Sequence, residues 1–471
     1  MSPLETPLPA THTPYTQSYP PPRTALVWRT VAQKNRPACR IRDTEYSNAC
    51  SHTKHTYMKH LYLLTLFALF AFAGCEKDDL APAKIVTSDF DPAFARVLQE
   101  RGYIPDAEQI STADLATITT LDVSGAYDNP GTLTSLRGIE HFKSLTALYC
   151  SHNQLTELDV TQNTALTYLD CLSNELAELD VTQNTALTTL ICFLNQLTSL
   201  DVSQNTKLID LRCNTNKLTS LDVSHNTALE TLDCYSNELT SLDVSQNVAL
   251  TRLDCLYNKL ASLDVSHNTA LTFLDCSFNP LMSLDLTHNS ALIELGCRDT
   301  GLTELDISRS TALTSLWCNA NQLTSLDVSH NTALEILDCY SNELTSLDVS
   351  ANTALTELDC DNNKLPSLGV SRNTSLTKLY CSSNLLTSLD VSANTALTTL
   401  CCRSNQLPSL DVSRNTALTY LECEYNPGDG VSSFPITAWF DNETVPAGLN
   451  VYSSSWQYDG KAITIDFRKA E

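Results

Sequence analysis

The chain has 471 residues, 18 cysteines, only 12 glycines and a formal net charge of −25. Residues 1–74 hold eight Lys or Arg against three Asp or Glu, so the remainder carries 21 basic and 51 acidic residues, a balance of −30. An acidic surface of that size repels a phosphate backbone, which argues against nucleic acid as a partner.

Residues 1–57 are rich in Pro, Thr, Ser and Arg without an apolar period, so they lack the means to build a core and read as a disordered or non-native leader. The stretch "MKHLYLLTLFALFAFAGC", Met58 to Cys75, has a short basic start, an apolar run and small residues before a cysteine. It is too short for a comfortable membrane span and reads as a secretory signal over 58–74. A signal begins a protein, so Met58 is the expected start. Phe72-Ala73-Gly74-Cys75 resembles the lipobox of bacterial lipoproteins, with Phe where Leu is usual. The resemblance implies lipidation of Cys75 and a place in the bacterial outer membrane. Glu76-Lys77-Asp78-Asp79 resembles the tag that sends some lipoproteins to the outer surface; the other reading is an acidic linker over 75–88.

Next, "DFDPAFARVLQERGY" offers Asp91 as a helix cap, Pro92 at the first helical position, and Phe94, Val97 and Leu98 on one face. Residues 89–144 are therefore expected to form an N-terminal cap, with an irregular first repeat around Leu121 to Leu136.

From residue 145 to 426 the sequence repeats. Cys150, Cys171, Cys192, Cys213, Cys234, Cys255, Cys276, Cys297, Cys318, Cys339, Cys360, Cys381, Cys402 and Cys423 follow one another at intervals of 21 residues. The unit is L-x-x-L-x-C-x-x-N-x-L-x-x-L-D-V-S-x-N-x-x, seen cleanly from Leu166 to Ala186, and its two halves are alike. Within each half, Leu and Cys or Leu and Val sit two apart, so they share one face of a strand. A single coil encloses no core, but stacked coils bury a continuous column of apolar side chains. The pattern resembles the leucine-rich repeat proteins, in particular the short bacterial kind with a 21-residue unit. The expected fold is a solenoid of fourteen coils, mostly β and loop, with parallel sheets on both sides and a small cap at each end.

The two Asn residues of each unit, such as Asn174, Asn195, Asn216 and Asn237, are placed to satisfy backbone groups of their own and neighbouring coils. The coil of Cys297 carries Thr300 and Ser310 instead, so a local irregularity is expected there. The cysteines occupy a position where such repeats usually carry Leu and read as buried free thiols rather than disulfides. No C-x-x-C pair supports zinc. Cys401, just before Cys402, should point outward. After Cys423 the pattern stops, and residues 427–471 bring Gly, Pro and aromatics with strand-like alternation from Ala462 to Phe467, as a C-terminal cap would.

No catalytic signature occurs. His225, His267, His288 and His330 share one register, but other coils place Gln, Arg or Ala there, as an exposed position tolerates. The Asp column from Asp159 to Asp411, broken at Gly369, reads as structural and solubilising. The outward positions of the first-half strand vary most. Aromatic and acidic side chains there compose a recognition face: Phe193, Arg212, Asp233, Tyr235, Asp254, Tyr257, Asp275, Phe278, Trp317, Asp338 and Tyr340. The resemblance implies a non-catalytic surface binding or adhesion protein without cofactor or metal, whose ligand is a protein or a glycan. The alternative is a glycan-capture accessory or enzyme subunit with activity in the caps.

Overall fold

The computed structural model describes residues 84–471; the leader, the 58–74 segment and Cys75 lie outside the described residues. One parallel sheet of sixteen strands organises the molecule. It opens with β1 (Thr120–Asp122) and continues through β2 (Ala147–Tyr149), β3 (Tyr168–Asp170) and their successors at 21-residue steps to β14 (Thr399–Cys401). It ends with β16 (Tyr420–Glu422) and β18 (Asn450–Val451). Pairing is in register from coil to coil: Leu253 lies opposite Leu274, and Asp254 opposite Asp275. Register follows from the period, because a one-residue slip would turn every leucine outward. This is the leucine-rich repeat solenoid expected from the repeat.

The interior is a stack of like side chains. Leu250, Leu253, Cys255, Leu260 and Val265 are wholly buried, and the same positions are buried in the neighbouring coils. The fourteen cysteines of the column are free thiols inside it. Burial pushes them up, Cys213 to about 12, so they pack as small hydrophobes and not as nucleophiles.

Two asparagine ladders join the coils. Asn174 Nδ2 donates to the carbonyls of Cys150 (3.1 Å) in the coil before and Cys171 (3.0 Å) in its own, while its Oδ1 accepts from the Leu155 N–H at 3.0 Å. In the second half, Asn184 Nδ2 donates to the carbonyls of Val160 and Asn163, both at 2.9 Å. Each ladder therefore satisfies carbonyls that a strand pairing would otherwise have used.

That accounting explains a departure from the expected sheet on both sides. On the second-half side the chain makes isolated parallel bridges, such as Asp159 with Asp180, and forms a strand only at β15 (Leu410–Asp411). The Val carbonyls already serve the asparagines, and each Asp Oδ1 captures the N–H two residues on, as Asp243 does from Ser245 at 2.9 Å. The backbone bends there before a ladder can extend.

Every regular coil also contains a residue in the left-handed region, and none of them is glycine. They run from His152 (φ 53°) through Ser236 and Tyr257 to Tyr425 (φ 60°), always two after the cysteine. Such a backbone costs ~1 kcal/mol for an L residue. It is held by the coil ahead: the Ser173 N–H donates to the Phe193 carbonyl at 2.9 Å, and Asn174 follows with its buried side chain.

The caps close both ends. Helix α1 (Pro92–Glu100) starts on Asp91, whose carboxylate accepts from the N–H groups of Ala93 (2.8 Å) and Phe94 (3.1 Å). Its Phe94 and Leu98 are wholly buried. At the other end β17 (Ser433–Ala438) runs parallel to β15 and to β20 (Lys461–Lys469), and β19 (Ser455–Tyr458) pairs antiparallel with β20. Trp456 of β19 is buried, donates its indole N–H to the Asn426 carbonyl at 2.9 Å and meets Phe434 edge-on. It anchors the cap to the last coil.

Candidate functional site

The outward face of the sixteen-stranded sheet is built from the residues that alternate with the buried Leu and Cys of each strand. Its aromatic candidates are accessible. Phe193, Tyr235, Trp317 and Tyr340 are half-buried, and Tyr257 is exposed and stacked on Phe278 with ring centroids 4.2 Å apart and planes 8° apart.

The acidic candidates differ from their expected role. Asp233, Asp254, Asp275 and Asp338 occupy outward positions yet are buried, Asp254 and Asp275 with 2% of their surface exposed. The middle of this column is clamped by arginine. Arg252, whose guanidinium lies 3.7 Å from the Phe273 ring centroid, donates to Asp233 at 2.9 Å and to Asp254 at 3.1 Å. Arg212 forks onto Asp210 with two contacts of 3.0 Å. Asp233 and Asp254 thus belong to an internal network, and Asp275 accepts from the Ser277 N–H of its own turn at 3.0 Å. Burial first, then the neighbouring Asp275 and Asp233, pushes Asp254 up to about 8. Arg252 is the residue that sequence reasoning left out. It stands two before Asp254, on the same strand face, and that period-two placement was its signal.

Near the C-terminal end, Glu422 and Glu424 lie buried beside one guanidinium, with Arg403 Nε 3.2 Å from Glu422 and Nη1 3.8 Å from Glu424. Burial and the Glu424 charge raise Glu422 to about 7. Cys401 precedes this strand in the outward register between Tyr380 and Glu422. It is buried and does not reach solvent as expected.

The coil of Cys297 departs from the others on both sides. Thr300 replaces the ladder asparagine, sending its hydroxyl to the Cys297 carbonyl (2.9 Å) and its N–H to Asn321 Oδ1 (3.1 Å). The Leu281 N–H, without an asparagine ahead of it, turns to the Asn279 carbonyl at 2.9 Å. Met282 adopts φ 64° and donates its N–H to the Thr300 carbonyl at 3.0 Å. Its sulfur lies against Gly301, where a Cβ would stand 2.8 Å away, so the irregular coil requires glycine there.

The remaining registers are structural. His225, His267, His288 and His330 each face the preceding Ser or Thr hydroxyl through Nδ1, at 3.1 to 3.2 Å. Each column Asp serves its own turn, and the Ser or Thr hydrogen bonds hold Asp180, Asp222 and Asp264 below the usual carboxylate range. Among the described residues no three His, Cys, Asp or Glu side chains are grouped to hold a metal ion.

A stack of 21-residue coils with an asparagine ladder inside and a variable strand face outside defines a leucine-rich repeat protein. Solved structures agree. The functional domain of InlJ from Listeria monocytogenes, which includes a cysteine ladder, is 38% identical over 75% of this chain and 82% of that one, with a TM-score of 0.60. The leucine-rich repeat protein LIC12759 of Leptospira interrogans is 25% identical over 67% and 92%, with a TM-score of 0.58. The internalin inlF of Listeria monocytogenes shares the fold at 21% identity over 73% and 97%, with a TM-score of 0.56. The chain belongs to the leucine-rich repeat family. No protein-family model and no curated protein sequence matches it.

Proposed function

We propose that the chain is a non-catalytic binding protein of a bacterial cell surface, held in the outer membrane by lipid on Cys75, and that it takes a protein or glycan ligand on the outward face of its first-half strands. The observation that carries this reading is the division of labour within the repeat. Buried positions recur unchanged, whereas the outward position before the cysteine runs through Ile191, Arg212, Gly296, Trp317 and Tyr380. A rigid sheet with side chains varied only on its exposed side concentrates differences where a partner reads them. Activity in the caps finds less support: Trp456, the cap aromatic best suited to a sugar platform, is consumed by packing.

The test uses the full chain in a glycan array and in pull-downs against purified surface proteins. Binding of an identified ligand should be lost when Trp317 and Tyr340 are both replaced by alanine. A ligand indifferent to that double variant would move the site off this face. Labelled palmitate should enter the wild type and not Cys75→Ala; equal labelling would remove the anchor from the proposal.

A further inference from the structure

Five cations stand on the outward face of the main sheet: Arg212, Arg252, Arg298, Lys378 and Arg403. Four are committed to carboxylates. Arg212 holds Asp210 at 3.0 Å, Arg252 holds Asp233 at 2.9 Å, Lys378 approaches Glu357 at 3.5 Å and Arg403 approaches Glu422 at 3.2 Å. Arg298 has no carboxylate partner among the described residues. Its guanidinium instead lies over the Trp317 ring, 5.1 Å from the centroid.

The surroundings of this pair are also unlike the rest of the face. Arg298 follows β9 (Glu294–Gly296), and Trp317 ends β10 (Ser315–Trp317), paired in register with Gly296. Gly296 carries no side chain, and the Asp275 carboxyl folds into the space a Cβ would need, 2.6 Å from it. Nothing therefore rises along that column between Asp275 and Trp317. The same coil carries Thr300, Gly301 and Ser310, so departures inside and outside the sheet coincide in one coil of the fourteen.

The chemistry of the pair selects a ligand. A guanidinium stacked on an indole keeps its N–H groups in its own plane, where a carboxylate takes two of them side by side. A half-buried Trp offers apolar ring surface to the C–H face of a sugar, and the flanking, partly exposed Glu294 can hydrogen-bond hydroxyl groups. The acidic field of the chain repels small free anions. A carboxylate that arrives on a ring able to stack gains what a free anion lacks.

We infer that Arg298 and Trp317, beside the bare strand position at Gly296, form a subsite for a carboxylated sugar, a uronate or sialate unit within a glycan. The carboxylate sits on Arg298 and the sugar ring against Trp317. This rests on the reading of the first-half face as the binding face and names the chemistry it recognises there.

Calorimetry on the full chain tests it with four probes: digalacturonate, 3′-sialyllactose, neutral lactose, and a short neutral peptide with a free C-terminal carboxylate. At least one of the two acidic sugars should bind ten-fold or more tighter than lactose and the peptide, and which of them does so tells uronate from sialate. Arg298→Gln should abolish that preference, Arg298→Lys should keep part of it, and Trp317→Ala should weaken the acidic sugar at least ten-fold, with circular dichroism unchanged. Should the Trp317 variant fail to fold, the Arg298 pair, replaced at a half-exposed position, still decides. Equal binding of lactose or the peptide, a preference that survives Arg298→Gln, or no binding of either acidic sugar would overturn the subsite. If the acidic sugars fail while the Trp317 and Tyr340 double variant still loses an identified ligand, only the subsite falls; if that ligand is retained, the binding face falls with it.

Discussion

Asn258 reaches across a coil boundary to Cys234: its Nδ2 donates to the Cys234 carbonyl at 3.1 Å, and to the Cys255 carbonyl of its own coil at 3.0 Å. Its Oδ1 takes the Leu239 N–H at 3.0 Å. Asn258→Ala leaves the buried Leu239 N–H unpaired, while the Cys234 and Cys255 carbonyls still accept from Asn237 and Asn279; the expected cost is about 2 kcal/mol, since such a group costs ~1–3 kcal/mol. Urea unfolding would measure it. A loss under 1 kcal/mol would show that water enters the gap.

The cysteine column should be reduced and shielded. Natively the fourteen thiols from Cys150 to Cys423 should resist alkylation, and denaturation should release them together. Cys255→Ala should cost about 1–2 kcal/mol through lost packing. Peptide mapping that finds a bridge between two of these fourteen cysteines would overturn this.

The stability profile with pH should be displaced toward acid. The folded protein holds Asp254 at about 8 against an ordinary 3.8, because burial, then Asp275 and Asp233, disfavour its charge. A raised carboxyl binds more protons folded than unfolded, so its stabilising effect is complete below about 4 and is lost as the pH climbs toward 8. Glu422, raised to about 7, acts in the same direction between its ordinary 4.5 and 7. The turn aspartates such as Asp180 are lowered and act oppositely, losing their contribution as the pH falls below the ordinary value. Melting temperature should therefore peak near pH ~4–5 and decline toward pH 8. Asp254→Asn should flatten the alkaline decline. A profile unchanged by that substitution would remove the clamp network as its cause.

On the binding face, Trp317→Ala with Tyr340→Ala should weaken the ligand by about 2 kcal/mol or more, as truncation of central anchors does. Asp222→Asn with Asp243→Asn should leave it nearly unchanged, since Asn Oδ1 can still accept from the N–H groups of Ser224 and Ser245. The reverse ranking in folded variants would put the site on the second-half side.

The buried half of this architecture was legible because burial imposes identity: Leu, Cys and Asn recur at fixed steps, and a column that admits one kind of residue announces itself. Asp91 and Pro92 likewise marked α1 by local rules. The outward half was legible only as variety. Sequence placed Asp254 and Asp275 on the outer side correctly, but Asp254 is held by Arg252 lying across two coils and Asp275 folds over the bare Gly296 position, contacts that depend on rotamers and not on register. The left-handed residues were invisible for a related reason. Ser236 or Tyr257 carries no signal for positive φ; the strain is imposed by the asparagine that follows and by the coil ahead.

The identical stretches at Leu232–Ser245 and Leu337–Ser350 stand five coils apart in the same register. Because every joint between coils uses the same asparagine bonds and the same buried side chains, an in-frame loss of the segment between these copies would create no new interface and would leave both caps in place. The shortened product would lack Arg298, Trp317 and the irregular coil between them. Length and the proposed subsite are thus inherited as one removable cassette, while the ability to fold resides in whatever coils remain.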